Sequence, residues 1–215
     1  MNEPAQKQIE KLTVFSDQPL VLIDADEVLV HFAKPFIHYL RQRGWCLELN
    51  GYTLQDAIFN LKSKRLADPL EAQNLVIGFI KAETHRQPAT EGAIDAVHTI
   101  SNYAQIIIIS NVPSYAHEAR LQNLKKLSLP YPFISNSGPK GPALKQICEK
   151  LEKPAVFIDD NPSQIESAKH FVPDLYRFHF SGCELVRSNL PITPASTHNP
   201  TSWAQIKDLC HKILI

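Results

Sequence analysis

Charge bias is the first thing this sequence lacks: 22 Lys and Arg stand against 22 Asp and Glu over 215 residues. With no basic excess and no long like-charge run, there is no electrostatic ground for a nucleic acid or a membrane surface as partner. Long apolar runs are missing too. Segments such as Ile106 to Ile109 fall far short of the ~18 residues needed to cross a bilayer. The polar beginning Met1-Asn2-Glu3-Pro4-Ala5-Gln6-Lys7 is followed by no signal-peptide core, so the cytoplasm is the expected location. The four cysteines, Cys46, Cys148, Cys183 and Cys210, form no close pair, which argues against a disulfide framework or a thiolate zinc site. Nine dispersed histidines show no zinc-helix spacing, and the pattern assigns them no chemistry.

What is present, 44% hydrophobic and 20% charged residues, is the composition of a globular chain that can bury a substantial core, as one domain or a domain with an insertion. Four short apolar, β-branched runs read as buried strands: Leu20 to Ile23, Ile106 to Ile109, Pro132 to Ile134 and Ala155 to Ile158, with a weaker fifth at Leu175 to Phe180. Helical patterns at Ser114 to Lys126, Ala143 to Leu151 and Pro162 to Phe171 alternate with them. This predicts an α/β, Rossmann-like parallel sheet flanked by helices. Ligands of such sheets bind beyond the carboxyl ends of the strands, so polar residues that terminate the strands are expected on one rim.

Between His31 and His85 the pattern changes. Helices are expected at Phe32 to Arg43, at Leu54 to Arg65, and from Asp68-Pro69-Leu70-Glu71, where an N-cap Asp, a Pro at the first helical position and a Glu three residues after the cap coincide. The reading is a helical insertion after the first strand, either a cap over a site or a long crossover packed on the sheet. Leu190 to Pro200 reads as an extended connection and Thr201 to Ile215 as a closing amphipathic helix.

Four constellations carry chemistry. Asp24 and Asp26 follow the first strand; extended geometry through them would turn both carboxylates the same way, and their mutual repulsion suits a Mg²⁺ ion between oxygen ligands. Alone, such a pair equally fits a solvated turn or a sugar-nucleotide transferase motif. Asp159-Asp160-Asn161-Pro162 also follows a strand and by itself reads as a helix cap. Ser110-Asn111 offers a hydroxyl and backbone N–H groups where an anion can sit, and Lys140, on Gly138-Pro139-Lys140-Gly141-Pro142, offers a cation.

In that order, Asp24-x-Asp26 after a strand, Ser110 after a strand, Lys140 before a helix and Asp159-Asp160 after a strand resemble the four motifs of the haloacid dehalogenase-like (HAD) hydrolases. The resemblance spans about Val21 to Phe180, and the insertion is similar to the small helical cap of the C1 type. It implies a core of residues 1–30 and 86–215 with a cap of residues 31–85. It also implies a Mg²⁺-dependent phosphatase acting on a small phosphorylated metabolite through an aspartyl-phosphate. The alternatives are a phosphomutase or phosphotransferase using the same aspartate, or a non-catalytic phosphate-binding protein. In this reading Asp24 is the nucleophile, Asp26 the general acid and base, Ser110 and the Asn111 backbone hold phosphoryl oxygens, and Lys140 offsets charge. Metal ligands would be Asp24, the Asp26 carbonyl and Asp160, with Asp159 behind, the order of the last two being open. Dehalogenases lack an Asp at the position of Asp26, which disfavours halide removal; Glu27 stands where many family phosphatases have Gly. Lys62, Lys64 and Arg65 are candidates to reach an anionic leaving group, and Trp45 or Phe59 to stack on a base or sugar.

Overall fold

The computed structural model describes residues 3–49 and 57–215. In chain order the elements are α1 (Glu3–Ile9), β1 (Leu20–Ile23), α2 (Ala33–Arg41), β2 (Trp45–Leu47), β3 (Ile58–Asn60), α3 (Pro69–Glu83), α4 (Ala93–Ile100), β4 (Gln105–Ser110), α5 (His117–Lys126), β5 (Phe133–Ser135), α6 (Gly141–Cys148), β6 (Ala155–Asp159), α7 (Pro162–Phe171), β7 (Tyr176–His179), α8 (Glu184–Arg187) and α9 (Trp203–Leu214).

Five strands form one sheet in the order β5-β4-β1-β6-β7, every pair parallel. Alternation along the strands divides the core in two. Val21, Ile23, Ile106, Ile108, Val156 and Ile158 pack with α4 and α9, while Leu20, Leu22, Ile107, Ile109 and Phe157 pack with α1, α6 and α7. Strands buried on both faces explain the uninterrupted apolar runs. The register sets Ile23 opposite both Ile108 and Ile158, so the residues that follow these strands emerge side by side on one rim.

The stretch between β1 and α4 has a hydrophobic cluster of its own, with Phe36, Tyr39, Leu40, Ile58 and Phe79 buried together. Phe79 is fully buried, with its ring 4.9 Å from Phe32 and 5.0 Å from Phe36; burial of such a ring stabilises by roughly 1.5–3 kcal/mol. The capping box at the start of α3 forms as expected: the Glu71 N–H donates to the Asp68 side chain at 2.8 Å, and the Asp68 N–H to the Glu71 carboxylate at 3.0 Å.

The expected helix at Leu54 to Arg65 is not there. Leu54 to Asp56 lie outside the described residues, Ile58–Asn60 is a strand antiparallel to β2, and a turn follows. The reason is local: the Asn60 side chain accepts from the N–H groups of Lys62 and Ser63, both at 3.1 Å, and Lys64 closes the turn with φ of +58°. That Asx turn takes up donors at the point where a helix would have to continue. The insertion is thus helices plus a hairpin rather than all helix. No helix of the described residues is long and apolar enough to cross a membrane.

Candidate active site

The strand geometry of β1 stops at Ile23 and a turn follows, so Asp24 and Asp26 do not share a face by extended alternation. They meet nonetheless. The Asp24 N–H still donates to the Ile158 carbonyl at 2.9 Å, which holds Asp24 at the strand end, and the turn brings Asp26 to the same cavity of about 270 Å³. Ser110, Asn111, Lys140, Asp159 and Asp160 also line it. The seven residues of the four constellations therefore converge on one cavity at the carboxyl rim of the sheet.

Lys140 is the centre of the charge arrangement. Its ammonium, with the side chain only 2% exposed, bonds the Asp24 carboxylate and lies 2.6 Å from Asp159 Oδ2. The backbone that delivers it depends on Gly141, where a Cβ would come within 2.5 Å of the Ser167 carbonyl and the Phe171 ring. Glycine lets α6 start tight against α7, and the Lys140 N–H is held by the Gln164 side chain at 2.8 Å. Burial opposes the Lys140 charge, but Asp159 and Asp24 outweigh it and raise the lysine above its ordinary range. For Asp24 burial dominates, reinforced by Asp159 and Asp26 and countered by Lys140, and its carboxyl is pushed up to about 7. Asp159 spends its second oxygen on the Asn161 N–H, 2.8 Å away.

Asp26 is held by a residue that sequence reasoning missed. Arg120 on α5 is 1% exposed and donates to Asp26 Oδ1 at 2.6 Å and to the Gln87 side-chain oxygen at 2.8 Å. The Gln87 amide lies 3.4 Å from the same Asp26 oxygen, and Ser110 Oγ is 3.5 Å from Oδ2. Asn111 donates to the Gly138 carbonyl at 2.9 Å, tying the loop after β4 to the loop that carries Lys140.

Among the described residues, the other wall of the cavity is Phe32, Ala33, Leu47, Leu49 and Val186, with Asn189. The candidates chosen for an anionic leaving group do not reach it. Arg65 makes two 2.6 Å bonds to Glu71 on the exposed side of the insertion and sits 5.4 Å over the Trp45 ring; Lys62, Lys64 and Phe59 are also not among the described lining residues.

The carboxylate oxygens of Asp24, Asp159 and Asp160 lie within 4.8 Å of one another. An all-oxygen set of this kind fits a hard divalent cation such as Mg²⁺.

No protein-family model matches the sequence, and no curated protein matches it. Solved structures match in shape. A HAD family hydrolase of Deinococcus radiodurans R1 with bound phosphate and sodium superposes with a TM-score of 0.59 at 15% identity, over 93% of this chain and 99% of its own. A Bacillus subtilis protein assigned as a HAD-hydrolase, bound to magnesium, gives 0.61 at 14% identity over 90% and 98%. A Thermotoga maritima protein assigned as a beta-phosphoglucomutase gives 0.58 at 14% identity over 92% and 100%. At these identities the likeness is one of fold, and the parallel sheet, its strand order and its flanking helices give this chain the fold of the haloacid dehalogenase-like hydrolases.

Proposed function

We propose that the protein is a Mg²⁺-dependent phosphatase of small phosphorylated metabolites, with residues 31–85 as a cap over a core of residues 1–30 and 86–215. The observation that carries this reading is one buried ammonium, Lys140, shared by two carboxylates, Asp24 and Asp159, in a cavity that Asp26 and Ser110 also line. Paired acids alone would suit many tasks. An acid kept beside a fixed cation, with a second acid some distance along the same cavity, suits in-line displacement at phosphorus.

In this mechanism Asp24 attacks the phosphoryl group and the ester oxygen departs, leaving an aspartyl-phosphate. Lys140 counters part of the burial that opposes the charge on Asp24. Asp26 protonates the departing oxygen and then takes a proton from the attacking water, a role typically worth roughly 10²–10⁴-fold. Arg120 and Gln87 hold the Asp26 carboxylate on its side of the cavity and so act as positioning residues. Ser110 and the Asn111 backbone receive the phosphoryl oxygens. A Mg²⁺ ion would be held by Asp24, Asp160 and the Asp26 carbonyl and would supply positive charge to the phosphoryl oxygens. Both Asp159 oxygens are engaged, by Lys140 and the Asn161 N–H, which supports a supporting role for that carboxylate.

The substrate end follows from the apolar wall. Phe32, Leu47, Leu49 and Val186 favour a leaving group that is uncharged and largely apolar, and Asn189 gives it one polar contact. The same wall disfavours transfer to a sugar hydroxyl, because an acceptor sugar would leave its hydroxyls facing carbon.

Phosphate release from a panel of esters, with Mg²⁺ or with chelator, tests the reading against Asp24→Asn. Metal-dependent release lost in the variant supports it; release that survives removes Asp24 from the mechanism. An isomeric ester in place of free phosphate would point to a mutase, and binding without turnover to a phosphate-binding protein.

A further inference from the structure

A second cluster of buried ionisable groups sits beside the cavity and takes no part in the proposed chemistry. It begins with Glu27, whose φ of +61° places it in the left-handed region that favours glycine. A non-glycine residue kept there, with its side chain buried, stores strain that needs a compensating contact. Half of that contact is visible: Glu27 Oε1 accepts from the N–H groups of Phe32, at 2.9 Å, and Ala33 at the start of α2. The other half is weak: buried Oε2 makes no well-formed hydrogen bond, and the Cys183 thiol lies against the carboxylate.

The same is true of a neighbour. His31 Nδ1 is buried and unpartnered, and Glu27 and His31 are 6% and 8% exposed. Cys183, fully buried, completes the group; a carboxylate oxygen, an imidazole nitrogen and the thiol sulfur all lie within 4.8 Å of one another. Chain path accounts for the meeting: the Gly182 N–H donates to the Glu27 carbonyl at 2.6 Å and delivers Cys183 to the Glu27 side chain. A carboxylate and an imidazole that each carry a buried atom without a well-formed hydrogen bond, brought together with a sulfur as the third corner, are unusual where nearly every buried polar group finds a partner.

We propose that Glu27, His31 and Cys183 form a site for a divalent transition-metal ion of the Zn²⁺ class, which clasps the turn after β1 and the start of the insertion to the start of α8. A mixed O, N and S set selects such an ion over Mg²⁺, which takes oxygen. Charge balances, because a thiolate and a carboxylate offset the two positive charges of the ion with the imidazole neutral. Binding therefore releases the thiol proton to solvent. Bonds of about 2.0–2.3 Å are within reach of small side-chain rotations, and the fourth position falls to water from the cavity that Glu27 lines. The ion holds structure rather than substrate, so the site stands or falls independently of the phosphatase reading. It also gives work to a histidine and a cysteine that sequence spacing left without any.

Cobalt makes the test direct. The full chain, stripped by chelator and kept in excess Mg²⁺ so that the all-oxygen cluster is filled, is titrated with Co²⁺ while near-ultraviolet absorption is followed. The expected result is a thiolate-to-cobalt charge-transfer band that saturates at one equivalent and that Zn²⁺ displaces. The band is lost in Cys183→Ser and kept in Cys148→Ser, and affinity falls at least about tenfold in His31→Gln. Zn²⁺ should also raise the melting temperature of the native chain by more than that of His31→Gln, a readout that does not need Cys183→Ser to fold. Absence of the band with no shift in melting would mean that the Cys183 thiol, its proton retained, merely lies against Glu27, and would overturn the proposal. So would a band that persists in a folded Cys183→Ser chain.

Discussion

The two walls of the central cavity are built on opposite principles. One is made by strand ends: Asp24, Ser110 and Asp159 sit where β1, β4 and β6 leave the sheet, and each is fixed by backbone pairing before any side chain contributes. There the charges are buried and tied to one another. The other is made by the insertion and α8, and it offers carbon from Phe32, Leu47, Leu49 and Val186. Under the proposed function, the charged wall would set what reaction is possible, and the apolar wall, which has a hydrophobic cluster of its own behind it, would set which molecule can be presented to it. If the comparison is right, changes on the first wall should strike stability and turnover together, whereas changes on the second should shift preference among substrates and leave the reaction intact.

Lys140→Ala is the harshest way to break the first wall. It leaves Asp24 and Asp159 buried without their shared cation, and loss of one partner of a buried pair typically costs about 3–5 kcal/mol. Urea unfolding should show that loss, with activity abolished. Adding Asp24→Asn should return part of the stability and none of the activity, because it removes one of the two stranded charges. A double variant no more stable than Lys140→Ala would show that the ammonium acts on Asp159 alone.

Arg120→Lys is the next step down. Lysine keeps the charge but cannot do what the Arg120 fork does, which is to hold Asp26 and Gln87 through one nitrogen and Asn123 through the other. Misplacement of Asp26 by about 1 Å is expected to lower kcat on the order of 10²-fold with little change in KM. Loss confined to KM would move Arg120 from the acid to the substrate. The positions of these residues also explain what could be read before the fold was known. Asp24, Ser110 and Asp159 each follow an apolar run, and a polar residue that ends a buried strand announces itself. Arg120 lies in His117–Lys126, a helix so polar that a basic residue reads as part of a solvated face; only α5 packing against Gln87 and Asp26 reveals that this face is inside. The capping box at Asp68 was legible because its signal is local. The hairpin of Trp45–Leu47 and Ile58–Asn60 was not, because three residues are too few to establish a period of two. The apolar wall escaped notice for a different reason: Phe32, Leu47 and Leu49 are residue types that any core uses.

Leu47→Lys sharpens the second wall. A cation placed opposite the phosphoryl site should shift kcat/KM about tenfold toward esters whose leaving group carries a carboxylate, relative to alkyl or aryl esters, with kcat for the latter nearly kept. Equal losses on both classes of ester would mean that Leu47 supports the packing of the insertion and does not face the leaving group.

The smallest effect belongs to Arg65, the cation that seemed placed to meet an anionic substrate. Its fork is already spent on Glu71, both groups lie at the surface, and Glu71 is drawn down to about 2, chiefly by its hydrogen bonds from Arg65 and the Asp68 backbone. The sign follows from that direction. A carboxylate whose folded value is depressed contributes stability above its ordinary value of 4.5, and loses that contribution as pH falls through 4.5 toward about 2. Across the neutral range the pair is constant, and salt weakens it. Arg65→Ala should therefore leave kcat and KM within about twofold of the native values for every ester, anionic ones included, and narrow the stability difference from the native chain only on acidification. An effect confined to anionic esters at neutral pH would instead bring Arg65 to the cavity and return a charge to the wall that is read here as carbon.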